Sequence, residues 1–399
     1  MTEPEPTPSP AAGGSRGRSS AARGGRRPTV IGAGSFGTAL AVLLARSGLR
    51  TTLQTRTVEQ ADRLRRERRN DHYLTGVELP AQLRIEASPG EVERADCIFL
   101  AVPSRGLGEV IASLDARGLD RHAAVVSLAK GLVTPDGLAP TAALRASFGA
   151  DRVACVGGPA HAQEMVNAGA ALVAASSDEQ LAKLIAQMFI GAGLVCEQSN
   201  DPTGVELAGA AKNAAALAAG ATEAQGLNAA GAAAGHIFAE VWRYAEALGA
   251  QPESMIGLAG TGDLLATALA RESRNRRAGE LLAAGTAATE IPARIGHAVE
   301  ALESVPLLAH ALDRAQVQAP VTGALARLIS GELPLEEWVA LVRATVPSPA
   351  RRRRRAPGFW RPGGGACGGG ERSVRGPRAD AQRGASISIE TTASYTPGP

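Results

Sequence analysis

Short apolar runs alternate with longer mixed segments along the first 200 residues. "PTVIGAG", Pro28 to Gly34, predicts a short buried strand ending in a turn. "SFGTALAVLLARSG" follows as a helix that Gly48 closes. "RTTLQTRT" predicts a second strand, and the Arg-rich segment 60–70 a solvated helix. Four further runs are "ADCIFLAVPS" (95–104), "AAVVSLAKG" (123–131), "RVACVGGPA" (152–160) and "AALVAAS" (170–176). Near-continuous apolar runs of this kind are buried on both faces of a parallel sheet. Helical stretches separate most of them, so residues 29–203 predict a doubly wound α/β domain of the Rossmann type. From Gly204 the pattern becomes long, Ala-rich and helical, in "GVELAGAAKNAAALAAGATEAQG" and "AAGAAAGHIFAEVWRYAEALGA". Residues 204–346 therefore predict an all-α second domain, joined near "SNDPTG".

Composition changes this picture mainly at the ends. The formal charge is +3, but residues 1–28 carry +3 and residues 347–399 carry +7, which leaves −7 for the body. The basic balance lies in the tails, so the body has no electrostatic footprint for nucleic acid. The first 28 residues lack the apolar core of a secretory signal and predict a disordered leader. Residues 347–399 are rich in Arg, Gly and Pro and too poor in aliphatic side chains to fold alone. That composition fits a disordered tail or a coding sequence read in a shifted frame. No apolar run reaches membrane-spanning length. Four cysteines form no Cys-x-x-Cys pair, which predicts reduced, buried thiols and a cytoplasmic protein. The histidines show no zinc-ligand spacing, and no metal is expected. His236 and Glu240, four apart, predict a solvated or structural pair.

Gly32, Gly34 and Gly37 spell G-x-G-x-x-G between a predicted strand and helix. The first glycine permits the turn, the second a close approach of backbone to pyrophosphate, and the third tight packing of helix on strand. The helix start offers unpaired N–H groups to the phosphates. At the end of the second strand stands Arg56 with no acid beside it. An Arg there suits the 2′-phosphate of NADP, which favours NADP and leaves NAD as the alternative. A surface position in an Arg-rich chain is the competing reading.

Only three lysines occur: Lys130, Lys183 and Lys212. Lys130 follows a strand's carboxyl end, where open α/β folds bind ligands, or it is a loop lysine. Lys212 lies beside Asn213 in a helix of small apolar residues. Burial there would depress its pKa and make it a general acid or base; the alternative is a margin lysine reaching to water. Asp263 begins a helix, with Thr267 one turn later on the same face. Its plain reading is work at the helix N-terminus. Ser273, Arg274, Asn275 and Arg276 form a dense donor cluster suited to a phosphate, or a solvated basic loop.

Taken together, "VIGAGSFGTALA", "AVPS", "AKGL", "GGPA", "AAKNAAALAAG", "GLAGTGDL", "SRNRRAG" and "AVEA" resemble the bacterial-type NAD(P)-dependent glycerol-3-phosphate dehydrogenases, in the family's order, over residues 29–345. The resemblance implies a Rossmann domain followed by a helical domain, often in a homodimer. It implies reduction of dihydroxyacetone phosphate to sn-glycerol 3-phosphate, feeding phospholipid synthesis. It also implies roles for individual residues. Ser35 and Phe36 would join the cofactor loop, with Arg56, Ala162, Ala298 and Glu300 also on the cofactor. Lys130 and Arg274 would meet both cofactor and substrate, and Gly158, Ala160, Asp263, Ser273 and Asn275 the substrate. Lys212 would be the proton donor or acceptor.

Three places depart from the family pattern. "GPAHA" lacks the usual hydroxyl at Ala160 and puts His161 where an aromatic is usual. Ala230 stands where a Lys or Arg is usual, and "AVEA" replaces "VVEG". Two rival readings follow. A related hydroxyacid or opine dehydrogenase would need carboxylate recognition in place of "SRNRR". A degenerate cofactor-binding sensor would follow from "GPAHA", against the intact Lys212 and Asp263.

Overall fold

The apolar runs of the first half become strands in the computed structural model, which describes residues 26–346 except positions 89, 91, 93 and 271. Most of the expected leader and all of the expected tail lie outside the described residues. In chain order the strands are β1 (Pro28–Ile31), β2 (Thr52–Thr55), β3 (Arg69–Asn70), β4 (Leu74–Glu78) and β5 (Arg84–Ala87), then β6 (Cys97–Leu100), β7 (Ala124–Ser127), β8 (Val153–Gly157), β9 (Ala171–Ala175) and β10 (Val195–Ser199). β3 and β4 form a small antiparallel hairpin. The other eight make one sheet in the order β10-β9-β8-β7-β6-β1-β2-β5. Every neighbouring pair is parallel except β8 and β9.

The helices of this half are α1 (Ser35–Arg46), α2 (Val58–Glu67), α3 (Leu107–Arg117), α4 (Pro140–Phe148), α5 (Ala162–Asn167) and α6 (Glu179–Gly191). They explain the one reversal of strand direction. α5 is about 9 Å long, and a five-residue strand is about 17 Å, so the link from β8 does not return the chain for a parallel partner. α6, about 20 Å long, does, and β10 runs parallel to β9.

The second half is helical: α7 (Pro202–Thr222), α8 (Leu227–Ala247), α9 (Pro252–Ile256), α10 (Asp263–Leu269), α11 (Arg274–Ala283), α12 (Ile291–Ile295), α13 (Glu300–Arg314), α14 (Pro320–Ser330) and α15 (Leu335–Ala344). α7 is its axis, with 19 of its 21 residues buried, so Glu206, Lys212 and Asn213 on it are interior groups. Asp201 starts it, accepting from Gly204 N (2.8 Å), Gln251 N (2.8 Å) and Ser254 Oγ (2.7 Å). Small residues let α11 lie directly on α7. A β-carbon on Gly279 would stand 2.0 Å from Leu217 O, and one on Gly220 would stand 2.0 Å from Arg276 O.

Glu240 takes the structural alternative. It is buried and accepts from Val321 N, Thr322 N and Thr322 Oγ1, tying α8 to the start of α14. Cys97, Cys155 and Cys196 are buried free thiols, and Cys367 lies outside the described residues. Among the described residues no helix is long and apolar enough to cross a membrane, and no metal-ligating cluster occurs.

Candidate active site

The loops leaving β7 and β8 meet the start of α10 and the middle of α7. Beyond β7, Ser127 Oγ accepts from Ala129 N (3.2 Å), and the chain turns to present Lys130. Lys130 Nζ donates to Gly158 O (2.8 Å) and to Asp263 Oδ2 (2.7 Å). The other carboxylate oxygen, Oδ1, lies 3.4 Å from Lys212 Nζ. Lys212 Nζ also donates to Thr267 Oγ1 (3.2 Å), whose hydroxyl lies 3.5 Å from Asp263 Oδ1. One carboxylate thus bridges two ammonium groups. Asp263 is 1% exposed and Lys212 7%, so the margin-lysine alternative fails. Asp263 does not cap its helix either: Gly262 holds that position, and the carboxylate turns to the lysines.

These surroundings set the proton affinities. Burial pushes the Lys212 ammonium down to about 8, and repulsion from Lys130 adds to the fall; Asp263 and Glu300 oppose it. Burial favours the neutral Asp263 carboxyl, but Lys130 and Lys212 outweigh it and hold the group below the ordinary carboxylate range. His161, half-buried at the start of α5, is lowered by burial, while Lys212, Asp263 and Lys130 all act on it.

A hydrogen-bonded network supports the lysines from behind. Asn213 Nδ2 donates to Lys130 O (2.9 Å) and Glu300 Oε2 (3.0 Å). Asn275 Nδ2 donates to Asn213 Oδ1 (2.8 Å), and Asn275 Oδ1 accepts from Ala301 N (3.2 Å). The donor cluster expected at 273–276 is divided. Asn275 turns inward, and Ser273 Oγ accepts from Arg276 N at the start of α11 (3.4 Å). Arg276 leaves to pair with Glu223 and Glu280. Arg274 stays exposed, with Nη1 donating to Ala298 O (3.3 Å).

The glycine turn fits a dinucleotide. A β-carbon on Gly32 would stand 2.4 Å from Ala101 O, and one on Gly37 would stand 2.0 Å from Gly32 O, so chain meets chain there. A β-carbon on Gly34 would meet nothing within 4 Å, which leaves that backbone open to a ligand. No side chain caps α1, and its first N–H groups face outward from Gly34. Ala33 O is held by Asn70 Nδ2 (3.0 Å), which fixes the turn's shape. Ser35 and Phe36 open α1 there; Arg56 is exposed past β2, and Ala160 and Ala162 follow Gly158 on the next loop.

Lys130, Gly158, Lys212, Asp263, Asn275 and Glu300 are therefore one group connected through Asn213, and Arg274 adjoins it beside Asn275 with its guanidinium on Ala298 O. Arg56 stands apart from it, without a polar contact to any described residue. Asn213, Thr267 and Asn70 complete the arrangement beyond the expected site residues. Asn213 and Thr267 stood beside suspected groups, whereas Asn70 gave no local sign, because its partners lie more than 30 residues away.

Comparison with known proteins identifies the family. Residues 28–182 match the family model for the NAD-dependent glycerol-3-phosphate dehydrogenase N-terminus, and residues 201–340 that for its C-terminus. A glycerol-3-phosphate dehydrogenase [NAD(P)+] of Deinococcus radiodurans is 41% identical over 78% of this chain and 92% of its own. One from Thermus thermophilus is 39% identical over 79% and 98%. The crystal structure of glycerol-3-phosphate dehydrogenase from Coxiella burnetii superposes with a TM-score of 0.75 at 28% identity, covering 80% of this chain and 99% of that one.

Proposed function

Since the chain belongs to the NAD-dependent glycerol-3-phosphate dehydrogenase family, we propose that the buried Lys130–Asp263–Lys212 chain is its reaction centre. The activity is NAD(P)-dependent interconversion of dihydroxyacetone phosphate and sn-glycerol 3-phosphate. The observation that carries the assignment of the centre is the shared carboxylate: each oxygen of Asp263 faces one lysine.

A bound nicotinamide cofactor supplies the hydride. Gly32, Gly34, Ser35, Phe36 and Gly37 would hold its pyrophosphate, with Arg56 at the adenosine end and Lys130, Ala162, Arg274, Ala298 and Glu300 also on the cofactor. The chain's own residues do the rest. Thr267 and Asp263 take two of the three N–H bonds of Lys212 and aim the third at the substrate oxygen. When the carbonyl becomes an alkoxide, Lys212 gives up that proton; in the reverse direction, neutral Lys212 removes it from the hydroxyl. Lys130 has one N–H left after Gly158 and Asp263, and it steadies the same developing charge. Arg274 holds the phosphate, aided by Ser273 and the uncommitted amide hydrogen of Asn275. Gly158 and Ala160 line the substrate side.

Residues 29–203 then serve as the cofactor domain and 204–346 as the catalytic domain, in a cytoplasmic homodimer that supplies phospholipid synthesis. NADP is the preferred cofactor on this reading, because Arg56 stands where an acid would select NAD. The test is oxidation of NADPH by dihydroxyacetone phosphate, followed by absorbance. Turnover with a lower KM for NADPH than for NADH is expected, and Arg56→Ala should erase the difference. No oxidation of either cofactor would overturn the reading of the site. Equal use of both by the unaltered chain would overturn only the NADP preference.

A further inference from the structure

The turn between β3 and β4 touches both ends of the active site. On the cofactor side, Asn70 is 2% exposed, and its Nδ2 donates to Ala33 O (3.0 Å) and Thr38 Oγ1 (2.8 Å). Ala33 is the middle residue of the glycine turn, and Thr38 lies on the first turn of α1. On the substrate side, His72 and Tyr73 meet His297. The ring centroids are 4.5 Å apart for His72–Tyr73, 5.7 Å for His72–His297 and 6.3 Å for Tyr73–His297. His297 immediately precedes Ala298, whose carbonyl accepts from Arg274, and lies three positions before Glu300, which accepts from Asn213.

The link between the two ends is stiff. Tyr73 N donates to Asn70 O (2.9 Å), Gly76 N to Asp71 Oδ1 (2.8 Å) and Thr75 Oγ1 to Asp71 O (3.0 Å). Leu74 and Val77 anchor the hairpin in the core of the sheet half. Core formation does not account for the three rings. The other ring contact among the described residues, Phe99–Phe189, is fully buried. Here three rings gather at a partly exposed place, on segments more than 220 positions apart. Burial, with Arg274 and His72 nearby, lowers the His297 pKa below the ordinary histidine value.

We propose that the Asn70–Tyr73 turn is a positioning strap that couples the cofactor cradle to the segment holding Arg274. This rests on the reading of Arg274 as the phosphate-binding residue. A cofactor that settles the glycine turn also settles Asn70; the turn then steadies His297, Ala298 and the Arg274 guanidinium. By linkage, substrate must tighten cofactor binding by the same factor.

The test uses the full chain and NADPH fluorescence, with sn-glycerol 3-phosphate as the second ligand, because that pair does not react. In the unaltered chain the phosphate ester should lower the Kd for NADPH by about 5-fold or more, within the usual span of coupled sites. Tyr73→Ala and His297→Ala should reduce that factor to near one while the Kd for NADPH alone changes by less than about twofold. Their KM for dihydroxyacetone phosphate should rise by about 5-fold or more, with kcat falling less. Tyr73→Phe, which keeps the ring, should keep the coupling. An unchanged coupling factor in the alanine variants overturns the strap, as does an unaltered chain that binds both ligands without mutual effect. If Tyr73→Ala unfolds, His297→Ala on the surface segment decides. An unaltered chain that binds NADPH but no glycerol 3-phosphate fails differently: it overturns the substrate assignment.

Discussion

Lys212 stands where burial and a second lysine make its proton easy to lose, while one carboxylate keeps it charged enough to be useful. With its pKa near 8, the residue is ready to act in either direction close to neutral pH. Reduction needs the protonated form, so kcat for dihydroxyacetone phosphate should fall as pH rises through about 8. Oxidation of glycerol 3-phosphate needs the neutral form and should rise across the same interval. Lys212→Ala should lower kcat by roughly 10²–10⁴-fold, the usual worth of a positioned proton donor, and flatten both profiles. Its Kd for NADPH should stay near that of the unaltered chain; loss of cofactor binding would make Lys212 a structural residue. Much of this centre was legible in the sequence. Lysine scarcity pointed to Lys130 and Lys212, and a carboxylate opening a helix pointed to Asp263. The shared geometry was not legible, because Asp263 meets Lys130 across 133 positions and Asn213 meets Glu300 across 87. Contacts that distant leave no local pattern. Arg276 shows the opposite error: spacing grouped it with Arg274, but its place on α11 turns it to Glu223 and Glu280.

The crossing of α7 and α11 brings Asn275 to Asn213, and it depends on the absence of two β-carbons. Gly279→Ala would place a methyl 2.0 Å from Leu217 O and 2.6 Å from Ala221 N, both rigid helix backbone. The helices must part, at a cost of about 1–3 kcal/mol, as for other overpacked contacts. A urea titration should show a lower midpoint with the slope unchanged. kcat should fall too, as Asn275 leaves Asn213 and the Lys130 carbonyl loses its fixed partner. Unaltered stability would mean that the two helices have slack which these distances deny. Elements of this kind read unevenly from sequence. Apolar runs such as "CIFL" and "AVVS" announce buried strands, and the Ala-rich α7 announces a packed helix. β10 did not announce itself, because Glu197 and Gln198 face outward on an edge strand. β3 falls at the end of the Arg-rich segment 60–70 that predicts a helix, and β4 lies beyond it, where no element is predicted. The reversal at β9 depends on how far the link through α5 reaches, which apolar periodicity does not encode.

The sheet half and the helical half are tied by a buried carboxyl remote from the lysines. Glu206, on α7, accepts from Thr141 N (2.8 Å) and Thr141 Oγ1 (2.6 Å) at the start of α4. The group is 4% exposed, and burial raises its pKa to about 8 against the pull of Thr141 and Arg145. This has a consequence for the whole molecule. Between the ordinary value of 4.5 and about 8, the unfolded chain has released this proton and the folded chain still holds it. The folded state binds more protons, so Glu206 makes stability fall as pH rises through that interval, and the fall ends above about 8. Glu206→Gln keeps the shape and an acceptor for Thr141 N while removing the titration; the Thr141 hydroxyl can rotate to accept from the new amide. Melting temperatures of the two proteins should diverge steadily from pH 5 to pH 8.5, with the variant gaining on the unaltered chain. At about 2–4 °C per kcal/mol, or somewhat less for a chain of this length, a gap of several degrees is expected at the alkaline end. The other shifted groups titrate in both proteins and cancel in the difference. A gap that stays constant with pH would mean that Glu206 ionises normally, with Thr141 and Arg145 repaying its burial in full.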